Sequence, residues 1–154
     1  MNLRALSVAA AAIACAAAAP MAAHAQWWSQ HPAYLHAMSN LRTAYWLEAH
    51  REPADPAQSA DEGNALREIR AAYKELKDAA LVDDKDIDDQ PPANFTYGDH
   101  AGRLHRALDL LHDAHDQIAK EEDNPSARGL RDRAAHHIDD AGRFTAAAID
   151  AWHF

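Results

Sequence analysis

Eleven of the 154 residues are histidine, and several are spaced so that they could act together. His105, His112 and His115 fall at intervals of seven and three. On an α-helix that spacing lines them along one face, with His112 and His115 able to touch one ligand. Asp109 and Asp116 each follow one of these histidines by four residues, the separation at which a carboxylate can orient an imidazole ring. A second group, His136, His137 and Asp140, lies on the next helical segment. If Asp123 and Asn124 form the turn between the two segments, residues facing each other have numbers summing to about 247. His112 then comes level with His136, and His115 and His137 lie within about a turn of that layer. Neutral imidazoles with a carboxylate suit Zn, Cu or Ni. The expected metal set is therefore His112, His115 and His136, supplemented by His105, His137 and Asp140.

The same residues have a plainer account. Consecutive His136 and His137 point about 100° apart on a helix, so only one of them can face a core. Most of the histidines have an Asp within helical reach, so half-exposed ion pairs would explain them without a metal.

Better-defined chemistries fail on inspection. No Glu-x-x-His pair supports a di-iron carboxylate centre, and neither HExxH nor CxxCH occurs. A non-covalent haem held by Met38 and His137 is an alternative cofactor reading. Asp84, Asp86 and Asp88 repeat the first three ligand positions of an EF-hand, but Asp89 stands where Gly is required and Phe95 where the closing Glu should be. The serines of the chain past the leader, Ser29, Ser39, Ser59 and Ser126, have no evident base beside them. No catalytic residue is expected, and the chain reads as a binding module, not an enzyme.

Composition narrows the setting. Asp and Glu number 24 against 15 Lys and Arg, a formal charge of -9, which opposes binding to nucleic acid. Residues 1–4 are a short basic stretch, residues 5–19 are Ala-rich and apolar, and Ala23-His24-Ala25 has the small-x-small pattern of a signal-peptidase site. Residues 1–25 are therefore expected to be a cleaved signal peptide, giving a periplasmic protein with no transmembrane segment in its mature part. A minority alternative is lipidation at Cys15, in a loose lipoprotein-like box. Cleavage removes Arg4, His24 and the sole Cys, and leaves 24 acidic residues, 14 basic ones and ten His. Acidification through about pH 6 would then carry a formal charge of -10 toward zero.

Four amphipathic segments must position these residues. Pro32 opens the first, with Tyr34, Met38, Leu41 and Tyr45 on one stripe. Ser59 and Glu62 form a capping box before Leu66, Ile69, Tyr73, Leu76 and Ala80. Residues 83–98 break the periodicity as a long acidic loop with two adjacent prolines. Asp99 caps a third helix carrying Leu104, Leu108, Leu111, His115 and Ile118, and Asn124-Pro125 opens a fourth carrying Ala134, His137 or Ile138, Ala141, Thr145, Ala148 and Trp152. Gly102 and Gly142 come nearly opposite each other, as for close helix contact. The expected fold for residues 26–154 is an all-α, up-down-up-down four-helix bundle.

Residues 31–42 (HPAYLHAMSNLR), 99–108 (DHAGRLHRAL) and 134–139 (AAHHID) resemble a group of uncharacterised small exported proteobacterial proteins. The resemblance covers nearly all of residues 27–151 and implies an all-helical exported domain. It carries no activity, substrate or cofactor with it. The functional expectation is a periplasmic binding module that holds a transition metal. The alternative is a structural or pH- and stress-responsive interaction protein without a specific metal site.

Overall fold

The computed structural model describes residues 33–93, 95, 98–120 and 124–152. The signal peptide expected at 1–25, Cys15, the opening at Pro32 and Asp123 lie outside the described residues. Four helices dominate: α1 (Ala33–Ala49), α2 (Ala60–Val82), α3 (His100–Ile118) and α4 (Arg128–Ala151). No strand occurs among the described residues.

Local chemistry sets the helix starts. At α2, Ser59 Oγ accepts from the Glu62 N–H at 3.1 Å while the Glu62 carboxylate accepts from the Ser59 N–H, the reciprocal capping box. At α3, Asp99 Oδ1 accepts from the Gly102 N–H at 2.7 Å. A Cβ on Gly102 would meet that same oxygen at 2.9 Å, so Gly102 serves the cap and does not make the helix contact expected of it. Gly142 alone faces a neighbouring helix, beside Leu108. The fourth helix starts later than expected. Asn124 Oδ1 accepts from the Ser126 N–H at 2.9 Å, closing a turn, and α4 begins at Arg128 without a side-chain cap.

Contacts between helix ends fix the directions. Glu62 at the start of α2 touches His100 at the start of α3, so both helices begin at the same end. Along α2 and α4 the pairs Glu68–His137 and Glu75–Arg133 run in opposite order, which makes those helices antiparallel. Each helix packs on two others, α2 on α4, α1 on α3, α3 on α4 and α1 on α2, leaving α1/α4 and α2/α3 as diagonals. The four-helix bundle is present, but its directions depart from the expected order and run up-down-down-up. The cause is the long connection between α2 and α3, whose described residues contact the bundle along its length. Gln90 donates to Tyr73, the Pro91 carbonyl accepts from Ser39, Phe95 rests on Trp46, and the Gly98 carbonyl accepts from Arg103. A crossover of this length carries the chain from the end of α2 back to the end at which α2 began, so α3 can start beside the start of α2.

We call the end where α1 and α4 finish and α2 and α3 begin the head, and the opposite end the foot. From the foot to mid-bundle the core is Leu, Ala and a few larger side chains, with Leu35, Met38, Leu41, Leu76, Leu111 and Ile118 almost wholly buried. A smaller cluster of Leu104, Ala148 and Ile149 lies on the α3–α4 side toward the head. Among the described residues, no helix is long and apolar enough to cross a membrane.

Candidate functional site

The histidines expected to share a metal are dispersed. His105, His112 and His136 are exposed. His115 Nε2 lies 3.6 Å from Asp139 Oδ1 across the α3–α4 boundary, and its Nδ1 is 4.0 Å from Asp116. His137 turns the other way, with Nδ1 2.7 Å from Glu68 Oε2 on α2. Asp140 pairs with Arg143, whose guanidinium holds that carboxyl below the ordinary carboxylate range.

Helix geometry explains the dispersal. Ile138, Asp139 and Gly142 face α3, and His136, two residues from Ile138, is rotated about 200° away. The late start of α4 also sets Leu108 opposite Gly142, a few residues from the expected register. The α3–α4 groove is a cavity of about 720 Å³ whose lining includes His112, His115, Asp116 and Asp139 but not His105, His136, His137 or Asp140. Among the described residues, no group of three or more His, Cys, Asp or Glu side chains is placed to hold a metal ion. The haem pair is separated as well, since Met38 is fully buried in the apolar core while His137 bonds Glu68.

The head carries the chemistry that the sequence reading passed over. Glu48 and Thr145 are 0% exposed, Glu62 and Arg103 1%, and His100 4%. Buried charges need partners, and most have them. Glu62 Oε1 lies 2.7 Å from His100 Nε2, and Oε2 lies 2.9 Å from Arg51 Nη2. Arg51 Nη1 donates to His100 Nδ1 at 2.8 Å. A guanidinium has no acceptor, so Nδ1 accepts there; the Glu62 Oε1 approach to Nε2 is an ion-pair distance without a formed hydrogen bond. Arg103 donates to the Gly98 carbonyl at 2.7 Å and pairs with Asp55, tying the top of the crossover to the α1–α2 connection. The Glu52 N–H, and after it Arg103, holds the Asp55 carboxyl below its usual range. The indole of Trp152 stands 5.0 Å from the His100 ring.

Glu62 Oε1, Arg51 Nη2 and Arg103 Nε also lack a hydrogen bond among the described residues, but those groups have ion-pair partners, whereas Glu48 has none there. Its Oε1 lies 2.6 Å from Thr145 Oγ1, which is also 2.9 Å from the Ala141 carbonyl. Its Oε2 has no hydrogen-bond partner among the described residues. A hydroxyl carries one proton, so the two contacts of Thr145 define two states. With Glu48 protonated, the acid donates to Thr145 and Thr145 donates to Ala141. With Glu48 ionised, Thr145 turns its only proton onto the carboxylate. Burial pushes Glu48 up to about 7, against the Thr145 hydrogen bond and the Arg51 cation, with Glu62 adding repulsion. Burial likewise draws His100 below the usual imidazole range, against Glu62 and together with Arg51. The head is thus arranged to hold or release a proton near neutrality.

One signal for this site was legible. Glu48 follows Leu41 and Ala44 at spacings of three and four, so it continues a buried stripe of α1. Glu62 had a sufficient local role as a cap, and His100 and Arg103 sit in the first turn of α3. Only the crossover brings those first turns together. Comparison with protein families, with curated proteins and with solved structures finds no match.

Proposed function

We propose that the chain is an exported, periplasmic, non-enzymatic interaction module whose bundle responds to pH at its head. The observation that carries this reading is the complete burial of Glu48 with one oxygen on Thr145 and the other without a hydrogen-bond partner among the described residues. The groups acting on Glu48 come from its surroundings: Glu62 of α2, Arg51 of the following connection and Thr145 of α4. From α3, His100 and Arg103 act through Glu62 and Asp55. Export rests on the leader-like composition of residues 1–25.

Two protons set the working window. Glu48 is raised in the fold, so its stabilising contribution is whole below about 4.5 and is lost as pH rises toward about 7. His100 is lowered, so its contribution is whole above about 6.5 and is lost as pH falls through its folded value. The head is tightest in mild acid, with Glu48 neutral and His100 uncharged. Above neutrality an ionised Glu48 adjoins Glu62 and loosens the end that shields Leu104, Ala148 and Ile149.

The test compares wild type with Glu48→Gln for oligomeric state and for binding of an apolar-surface dye, between about pH 6 and about pH 8.5. The wild type should expose apolar surface or change its association as pH rises, and the variant should not. No change in either protein, or the same change in both, would overturn the reading.

A second reading, a transition-metal site for Zn, Cu or Ni, is favoured by one observation. His112, His115, Asp116 and Asp139 line a single groove. In metal titrations, His112→Ala/His115→Ala should abolish one stoichiometric site that His136→Ala/His137→Ala retains. Equal titrations of both variants and wild type would remove it.

A further inference from the structure

Between α1 and α2 the surface opens into a cavity of about 410 Å³, on whose wall are Tyr45, Trp46, Tyr73 and Phe95 together with Arg42 and Arg70. It shares no residue with the head network. Its aromatic groups are held in place by their neighbours. Phe95, brought in by the crossover, stands 5.0 Å from Trp46 at 49°, and Trp46 stacks on His50 with ring centroids 4.4 Å apart. Gln90 donates to Tyr73 Oη at 3.2 Å and to the Ile87 carbonyl at 2.6 Å. The Arg70 guanidinium lies 4.8 Å above the centre of the Tyr45 ring and donates to its hydroxyl. A cation over an aromatic face is attracted by the ring quadrupole, which orders Arg70 before any ligand arrives.

The charges on this wall run against those of the chain. Acidic residues outnumber basic ones 24 to 15, yet among the described residues no Asp or Glu lines the recess. Elsewhere Arg51, Arg103, Arg131, Arg133 and Arg143 each pair with a carboxylate, while Arg67 bonds only Gly63 and Asn64. Among the described residues Arg42 and Arg70 have no carboxylate partner: Arg42 reaches only Gln90 Oε1 at 3.5 Å, and Arg70 only Tyr45. Two guanidinium groups without counter-ions, flanking an aromatic recess, complement a ligand that is anionic at one end and flat and apolar at the other. The volume suits a molecule of one or two rings.

We propose that this recess binds a small aromatic carboxylate, its ring lying among Trp46, Tyr73 and Phe95 and its carboxylate meeting Arg42 and Arg70. Arginine presents a fork of donors that matches a carboxylate in two-point geometry, so a neutral compound of the same shape lacks half of the recognition.

The test is calorimetric titration of the full chain with 2-naphthoate and with 2-naphthalenemethanol, which share a ring system and differ in charge. Naphthoate should saturate one site, bind about tenfold or more tightly than the alcohol, and weaken with added salt. Arg42→Gln/Arg70→Gln should weaken naphthoate about tenfold and leave the alcohol unchanged. Both arginines are exposed, and an unchanged circular dichroism spectrum would show that the fold persists. Equal binding of acid and alcohol to wild type, undiminished naphthoate binding by the variant, or no saturable binding at millimolar concentration would each overturn the proposal. The acid–alcohol comparison on the wild type decides the matter even if the variant misfolds.

Discussion

Toward the foot of the bundle Leu35, Met38, Leu76 and Ile118 meet across four helices, and water is excluded by aliphatic side chains. At the head the same four helices enclose Glu48, Glu62, His100 and Arg103, and every buried Glu and Arg among the described residues lies there. Both ends belong to one fold of similar helices, so the difference is in what opposes unfolding. Apolar burial depends on area removed from water and is indifferent to protons. A buried carboxylate depends on its protonation state, because desolvation penalises only the charged form. On the proposed reading, one end of the molecule is a fixed clamp and the other a clamp whose strength follows pH.

Four substitutions would break or sharpen that contrast. Leu111→Ala removes a fully buried side chain from the apolar core and should cost roughly 2–5 kcal/mol in urea unfolding, equally at about pH 5 and about pH 8. A strong pH dependence of that cost would erase the distinction between the ends. Glu48→Gln keeps an acceptor for Thr145 and removes the ionisation. Relative to their difference at about pH 4.5, the variant should gain up to about 3 kcal/mol on wild type by about pH 8, because Glu48 alone becomes charged over that range. Ser59→Ala deletes one half of the capping box at the head and should lower stability by about 1 kcal/mol, measured by the same unfolding experiment. Gly142→Ala places a Cβ 3.7 Å from a Leu108 methyl, an ordinary contact at a position without positive φ. Relief of a mid-helix glycine should raise stability by about 0.5–1 kcal/mol, seen as a small increase in Tm.

The parts of the molecule differ in how far local pattern decided them. The helices and the caps at Ser59 and Asp99 were legible because periodicity and capping act within a few residues. Their directions were not. The long acidic stretch at 83–98 was recognised as a loop, yet its length also permits a crossover along the bundle, and the observed contacts of Gln90, Pro91, Phe95 and Gly98 show that it makes one. That change of topology gives His100, and not His112 or His136, a buried partner from another helix among the described residues. The third-helix histidines are conspicuous by spacing but mostly point to solvent, whereas His100 gains its partners only because two helix starts meet. Glu48 lay on a buried stripe from the outset, and a charged residue on such a stripe was a signal that composition alone does not rank.

The most direct measurement is a carbon-13 titration of the glutamate side-chain carboxyls by NMR. With burial raising Glu48 to about 7, its carboxyl resonance should move near neutrality, well above the ordinary glutamate value of about 4.3. The late resonance should vanish in Glu48→Gln. A Glu48 midpoint at or below the ordinary glutamate value of about 4.3 would contradict the account, because the head would then hold no proton to release at neutral pH.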